Sequence, residues 1–109
     1  MVFYNPYESD ISKASKLQRW ILVMSYIYYE KDSNVVSDKV FDENARQLVR
    51  MQRRIDINKT DYGYAFYDFD ASTGFYLFDR LAKNDKEKIK RISEFVLNLY
   101  NTLDKKIKV

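Results

Sequence analysis

YIYYEKDSNVVSDKVFDE, Tyr26 to Glu43, decides the fold of this chain. Two tyrosines, Tyr28 and Tyr29, stand just before a polar bend. Ser37 follows as a side chain that caps a helix start, and Asp38 falls in the first turn, where a negative charge meets the positive helix end. Asp42 comes four residues later. The pattern predicts a helical hairpin over about residues 11–54, with the break in EKDSNVV. Upstream, Leu17, Trp20, Ile21, Met24, Ile27 and Tyr28 recur at helical spacing. Leu22, Val23 and Tyr26 widen that stripe, so the first helix is expected to be central, capped by Ser9 or Ser12. Downstream, Phe41, Ala45 and Leu48 continue one apolar side from about Asp38 to Arg54.

The 109 residues fit one domain. With 46% hydrophobic and 32% charged residues but only two glycines and one proline, the chain reads as globular and helix-rich, not disordered. It has no cysteine and no histidine. That removes thiolate chemistry, disulfides, the commonest base near neutral pH and the commonest metal ligand. No apolar run approaches the roughly 20 residues of a membrane span, and MVFYNPYESD lacks the pattern of a secretory signal. A cytoplasmic protein away from membranes is expected. The net charge of +3 is only mildly basic, and lysine alternates with glutamate too freely for the charge alone to indicate nucleic acid.

The segment DINKTDYGYAFYDFDASTG, Asp56 to Gly74, departs from helical patterning. It reads as an irregular aromatic loop over about residues 56–73, with room for one short extended piece. A short helix is expected over Gly74–Leu81. Asn84 then caps a last helix to about Asp104, whose stripe is Ile89, Ile92, Val96, Leu99 and Leu103, flanked by Phe95 and Tyr100. The fold class is all-α: a small single-domain helical bundle with the aromatic loop as lid or plug.

Residues four apart share a helix face, so Asp38 and Asp42 project together from the start of the second helix. Two readings stand: a solvated acidic helix start, or a cup in which Tyr28, Tyr29 and Phe41 offer ring faces to a planar cation while the acids accept hydrogen bonds from sugar hydroxyls. Arg46, Arg50 and Arg53 line another face, either as solvated charges or as a phosphate-binding stripe. Asp68 and Asp70 are too few oxygen ligands for a firm cation site, so no metal and no resident cofactor are expected.

YIYYEKDSNVVSDKVFDENARQL, Tyr26 to Leu48, resembles the N-terminal Ia domain of bacterial NAD-dependent DNA ligases. That hairpin typically carries tyrosine and histidine, a short linker, then Asp-x-x-Tyr-Asp. In that family the domain closes over the nicotinamide mononucleotide half of NAD. The resemblance implies that Tyr28 is the family's aromatic ring and that Asp38 and Asp42 are its two carboxylates. Tyr29 stands where the family has histidine, and Phe41 where it has the motif tyrosine. The adenylation motif, a lysine followed by x-Asp-Gly, is absent from these residues. A later stretch, YDFDASTGFYLFDRL, is similar to segments of small phage and prophage proteins of Gram-positive bacteria.

The first expectation is therefore a non-catalytic binding protein of phage type. It would dock Tyr62, Tyr64, Phe66, Tyr67 and Phe69 onto a host protein that processes nucleic acid or defends the cell. Inhibitors of CRISPR nucleases are one such class. The alternative is a small-molecule module that holds a nicotinamide nucleotide, or another nucleotide, against Tyr28, Tyr29, Asp38, Phe41 and Asp42. A third reading is nucleic-acid binding through Arg46, Arg50 and Arg53.

Overall fold

The first long helix, α1, spans Asp10–Glu30. The structure, a computed structural model, describes residues 9–33, 35–72 and 76–108; the aromatic lead-in of residues 1–8 lies outside them. Ser9 caps α1, its hydroxyl accepting a hydrogen bond from the Ser12 amide. Helix α2 spans Asp38–Gln52 and is capped in the same way by Ser37, which accepts from the Val40 amide. Between them the chain reverses through Asp32 at φ 49°, a left-handed conformation that aspartate tolerates better than most residues.

α1 is the central element and packs against both α2 and the last helix, α4, Lys83–Lys108. It earns that place by being apolar on more than one side: Ala14, Leu17, Ile21, Leu22, Val23 and Ile27 are all buried. From α2 come Ala45, Leu48 and Met51, and from α4 Ile89. The first half of α4 closes the core, with Ile92, Val96 and Leu97 half-buried. Phe95 faces outward between them, and further along the helix Leu99, Tyr100 and Leu103 are exposed. The helix starts at Lys83, before the expected cap Asn84, because the Lys86 amide already donates to the Ala82 carbonyl.

The aromatic segment is a plug, and it is helical. A 3-10 turn at Ile57–Lys59 leads into the one-turn helix α3, Gly63–Phe66. No strand occurs among the described residues, so the expected extended piece is replaced by helical turns. Residues 73–75, where the short helix over Gly74–Leu81 was expected to begin, are outside the described residues; a 3-10 turn, Phe78–Arg80, follows them. Gly63 is required here, since a Cβ at that position would lie 1.9 Å from the Ile57 carbonyl oxygen.

Gln18 fastens the plug to the hairpin. Fully buried on α1, it donates to Gln52 at 3.1 Å and to the Thr60 hydroxyl at 2.9 Å, and accepts from the Tyr62 amide at 3.2 Å. Ser15, one turn earlier, accepts from the Asp61 amide at 3.0 Å. These bonds satisfy loop backbone groups that would otherwise be buried without partners.

Among the described residues, no helix is long and apolar enough to cross a membrane.

Candidate functional site

The end of α1, the bend and the start of α2 form three sides of a groove of about 310 Å³, and residues 71–72 form the fourth. Its lining includes Tyr28, Tyr29, Asp38, Phe41 and Asp42, the five residues assigned to one cup from the sequence. Met24, Val35 and Val36 supply further apolar wall. The size suits a small ligand at the lower end of the usual range.

Each side chain is placed by local structure. Tyr28 and Tyr29 sit in the last turn of α1, about half exposed, their rings meeting edge to face at 4.8 Å and 84°. That arrangement sets the positive edge of one ring against the negative face of the other. Phe41 is half-buried and anchored by Trp20, 5.8 Å away between ring centres. Asp38 and Asp42 are exposed on successive turns of α2. Among the described residues no basic residue lines the groove, so the charges of its lining are the two carboxylates, which favour a cation.

The lining also contains an orphan. Ser25 is 4% exposed, and its hydroxyl has no hydrogen-bond partner. An unpaired buried hydroxyl costs about 1–3 kcal/mol. Sequence periodicity missed Ser25 because a serine on the stripe of a central helix reads as a small core residue. The other missed wall, Ala71, holds φ 72° and follows Asp70, whose carboxylate accepts from the Ser72 amide at 2.9 Å.

The expected docking patch is not a surface. Tyr62, Phe66 and Phe69 are 2%, 0% and 6% exposed and belong to the core. They are part of the same buried cluster as the core of α1, α2 and α4, and Phe66 and Phe69 pack edge to face at 5.3 Å. Only Tyr64 and Tyr67 of that set are exposed, and both are engaged internally. The Tyr64 hydroxyl donates to Asp85 and accepts from the Ala82 amide. Burial, then this bond to Asp85, raises the Tyr64 pKa above that of a free phenol. Tyr67 lies against the Arg80 guanidinium, 4.7 Å from its ring centre, while Tyr76 is 4.6 Å away.

Arg80 clamps the segment. It donates to both oxygens of Asp68 and to the Ala65 carbonyl, and the bond to Arg80 holds the Asp68 carboxyl below the usual carboxylate range. Asp68 and Asp70 are thus taken up by internal partners, and no group of three or more acidic ligands that could hold a metal ion occurs among the described residues. Arg46, Arg50 and Arg53 are all exposed on and just after α2, with Arg53 at its C-terminal cap, where a cation meets the negative helix end.

The chain matches no family model, no curated protein and no solved structure.

Proposed function

We propose that this chain is a non-catalytic binding module whose groove holds the pyridinium–ribose part of a nicotinamide nucleotide. One observation carries the reading: Tyr28, Tyr29, Phe41, Asp38 and Asp42, separated by a bend in sequence, line a single groove. A planar cation stacks on the rings and is favoured by the two carboxylates. Ribose hydroxyls donate to Asp38 or Asp42. The ligase-like spacing of the hairpin supports the same ligand class. Calorimetric titration with nicotinamide mononucleotide and NAD tests the reading. Submillimolar binding lost in Asp42→Asn agrees with it; no binding by either compound below millimolar concentration ends it.

A second reading keeps the phage-type docking protein and moves its surface to α4. Phe95 to Leu103 contains no charged residue, and Phe95, Leu99 and Leu103 are at least half exposed. Depletion of charge around aromatic and aliphatic side chains is the composition of an interface centre. This reading predicts a host protein captured by the wild type and by Asp42→Asn, but not by Leu99→Asp. Capture that survives Leu99→Asp removes it.

A further inference from the structure

We infer that α4 pairs with α4 of a second copy of this chain, antiparallel, with Leu99 on the two-fold axis. Such a pair leaves the groove free and takes the face that the second reading above gives to a host protein.

α4 carries an apolar ridge that the fold leaves bare. Phe95, Leu99 and Leu103 are 69%, 51% and 50% exposed, although Ile89, Ile92 and Val96 of the same helix are buried or half-buried. Steps of four residues advance about 6 Å and turn about 40°, so the three side chains form one ridge about 12 Å long. Apolar residues scattered singly over a surface need no explanation, whereas contiguous ones mark interaction surfaces. The charge pattern says what covers this one. From Phe95 to Leu103 no residue is charged, and Leu99 is the midpoint of that window. A two-fold axis through Leu99 therefore lays one uncharged window on the other. It sets Phe95 of each copy against Leu103 of the other, the self-complementarity that an isologous interface requires. Glu94 closes the window at one end and Asp104 at the other. An anionic surface, whether lipid or acidic protein, thus meets a carboxylate at either end of the ridge. In a pair, each acid has a cation close behind it, Arg91 before Glu94 and Lys105 after Asp104, so both ends of the paired windows carry both signs. The antiparallel order places the two bodies at opposite ends of the ridge and sets opposite helix dipoles side by side. The net charge of +3 on each chain opposes pairing, but physiological salt screens exposed charges beyond about 8 Å. Three exposed side chains per copy fall short of a standard interface, so the pair is weak and depends on concentration.

The chain contains no cysteine, so single introduced cysteines report the register. Sedimentation equilibrium of the whole chain is run from low micromolar to millimolar concentration on the wild type and Leu99→Asp, with helix content checked by circular dichroism. The expected result is a mass that climbs from one chain towards two in the wild type and stays at one in Leu99→Asp. Under a mild oxidant, Leu99→Cys is expected to cross-link to itself. Phe95→Cys and Leu103→Cys are expected to cross-link when mixed but not alone. The two copies of either residue lie about 12 Å apart along the pair, beyond the reach of a disulfide. Should Leu99→Asp lose helix, the cross-link pattern decides by itself. A single-chain mass at every concentration, with no cross-link of Leu99→Cys, overturns the pair and leaves both readings above standing. Phe95→Cys cross-linked to itself overturns the antiparallel order. Association unchanged in a folded Leu99→Asp places the contact elsewhere and overturns the pair as well.

Discussion

Gln18 donates a hydrogen bond of 2.9 Å to the hydroxyl of Thr60, forty-two residues further along the chain. The same side chain accepts from the Tyr62 amide and donates to Gln52. A single fully buried amide thus joins the hairpin to the aromatic plug. Replacing it by leucine keeps most of the volume but strands the Tyr62 N–H and removes the bonds to Thr60 and Gln52, although the Thr60 hydroxyl still donates to the Ile57 carbonyl. Gln18→Leu is expected to destabilise the fold by about 2–4 kcal/mol, measured by urea denaturation. A loss near zero would show that the bonds of Gln18 add nothing to what holds the plug.

The two adjacent rings Phe66 and Tyr67 should behave oppositely. Phe66 is fully buried, so Phe66→Ala empties a large core volume and is expected to cost about 3–5 kcal/mol. Tyr67 is 65% exposed and contributes mainly its contact with Arg80, so Tyr67→Ala is expected to cost about 1 kcal/mol or less. Thermal unfolding of the two variants separates a plug from a surface patch, on which both changes would be mild.

The tyrosines make stability fall at alkaline pH. Burial raises the pKa of Tyr62 above its unfolded value, with the Asp85 charge adding to it; Tyr64 and Tyr76 are raised by burial as well. A folded pKa above the unfolded one means that the unfolded chain loses the proton first. The stabilisation is therefore complete below about pH 10, the unfolded phenol value, and disappears as pH climbs through the folded pKa values. Denaturation midpoints are expected to hold steady up to that value and decline beyond it. Tyr64→Phe, which cannot ionise at this position, should show a shallower alkaline decline. An unchanged slope would mean that Tyr64 does not contribute to it.

Ala71 stands in the left-handed region with a side chain that disfavours it. Ala71→Gly relieves that strain but loosens the unfolded chain, so its effect is expected to be neutral to stabilising, up to about 1 kcal/mol, against the usual penalty for glycine. Calorimetric unfolding measures it. A clear destabilisation would mean that the methyl group packs in the groove wall.

Periodicity made the hairpin and the last helix legible, because α2 and the start of α4 each bury one apolar stripe and α1 buries a wider one. Ser37 marks the start of α2 in the sequence, since the cap is a local interaction, whereas the start of α1 is narrowed only to Ser9 or Ser12, of which Ser9 is the cap. The aromatic segment was misjudged for the opposite reason. Its turns are held by Gln18, Ser15 and Arg80, all distant in sequence, and nothing local announces which rings face inward. Tyr62, Phe66 and Phe69 were thus assigned to a surface that they do not form. The groove was legible because it is built by neighbours: two tyrosines at one helix end and two aspartates a short bend later. Ser25 and Ala71 were not, since one hides on a core stripe and the other arrives from the far part of the chain.

The central claim is that the groove at the hairpin bend is where a ligand sits. The most direct measurement is a titration of the isotope-labelled chain with nicotinamide mononucleotide, followed by nuclear magnetic resonance. The account predicts saturable shifts at the rings of Tyr28, Tyr29 and Phe41 and the methyl groups of Met24, Val35 and Val36, none at Tyr67, and their loss in Asp42→Asn. Shifts confined to residues outside the groove, or unaltered by Asp42→Asn, would contradict it.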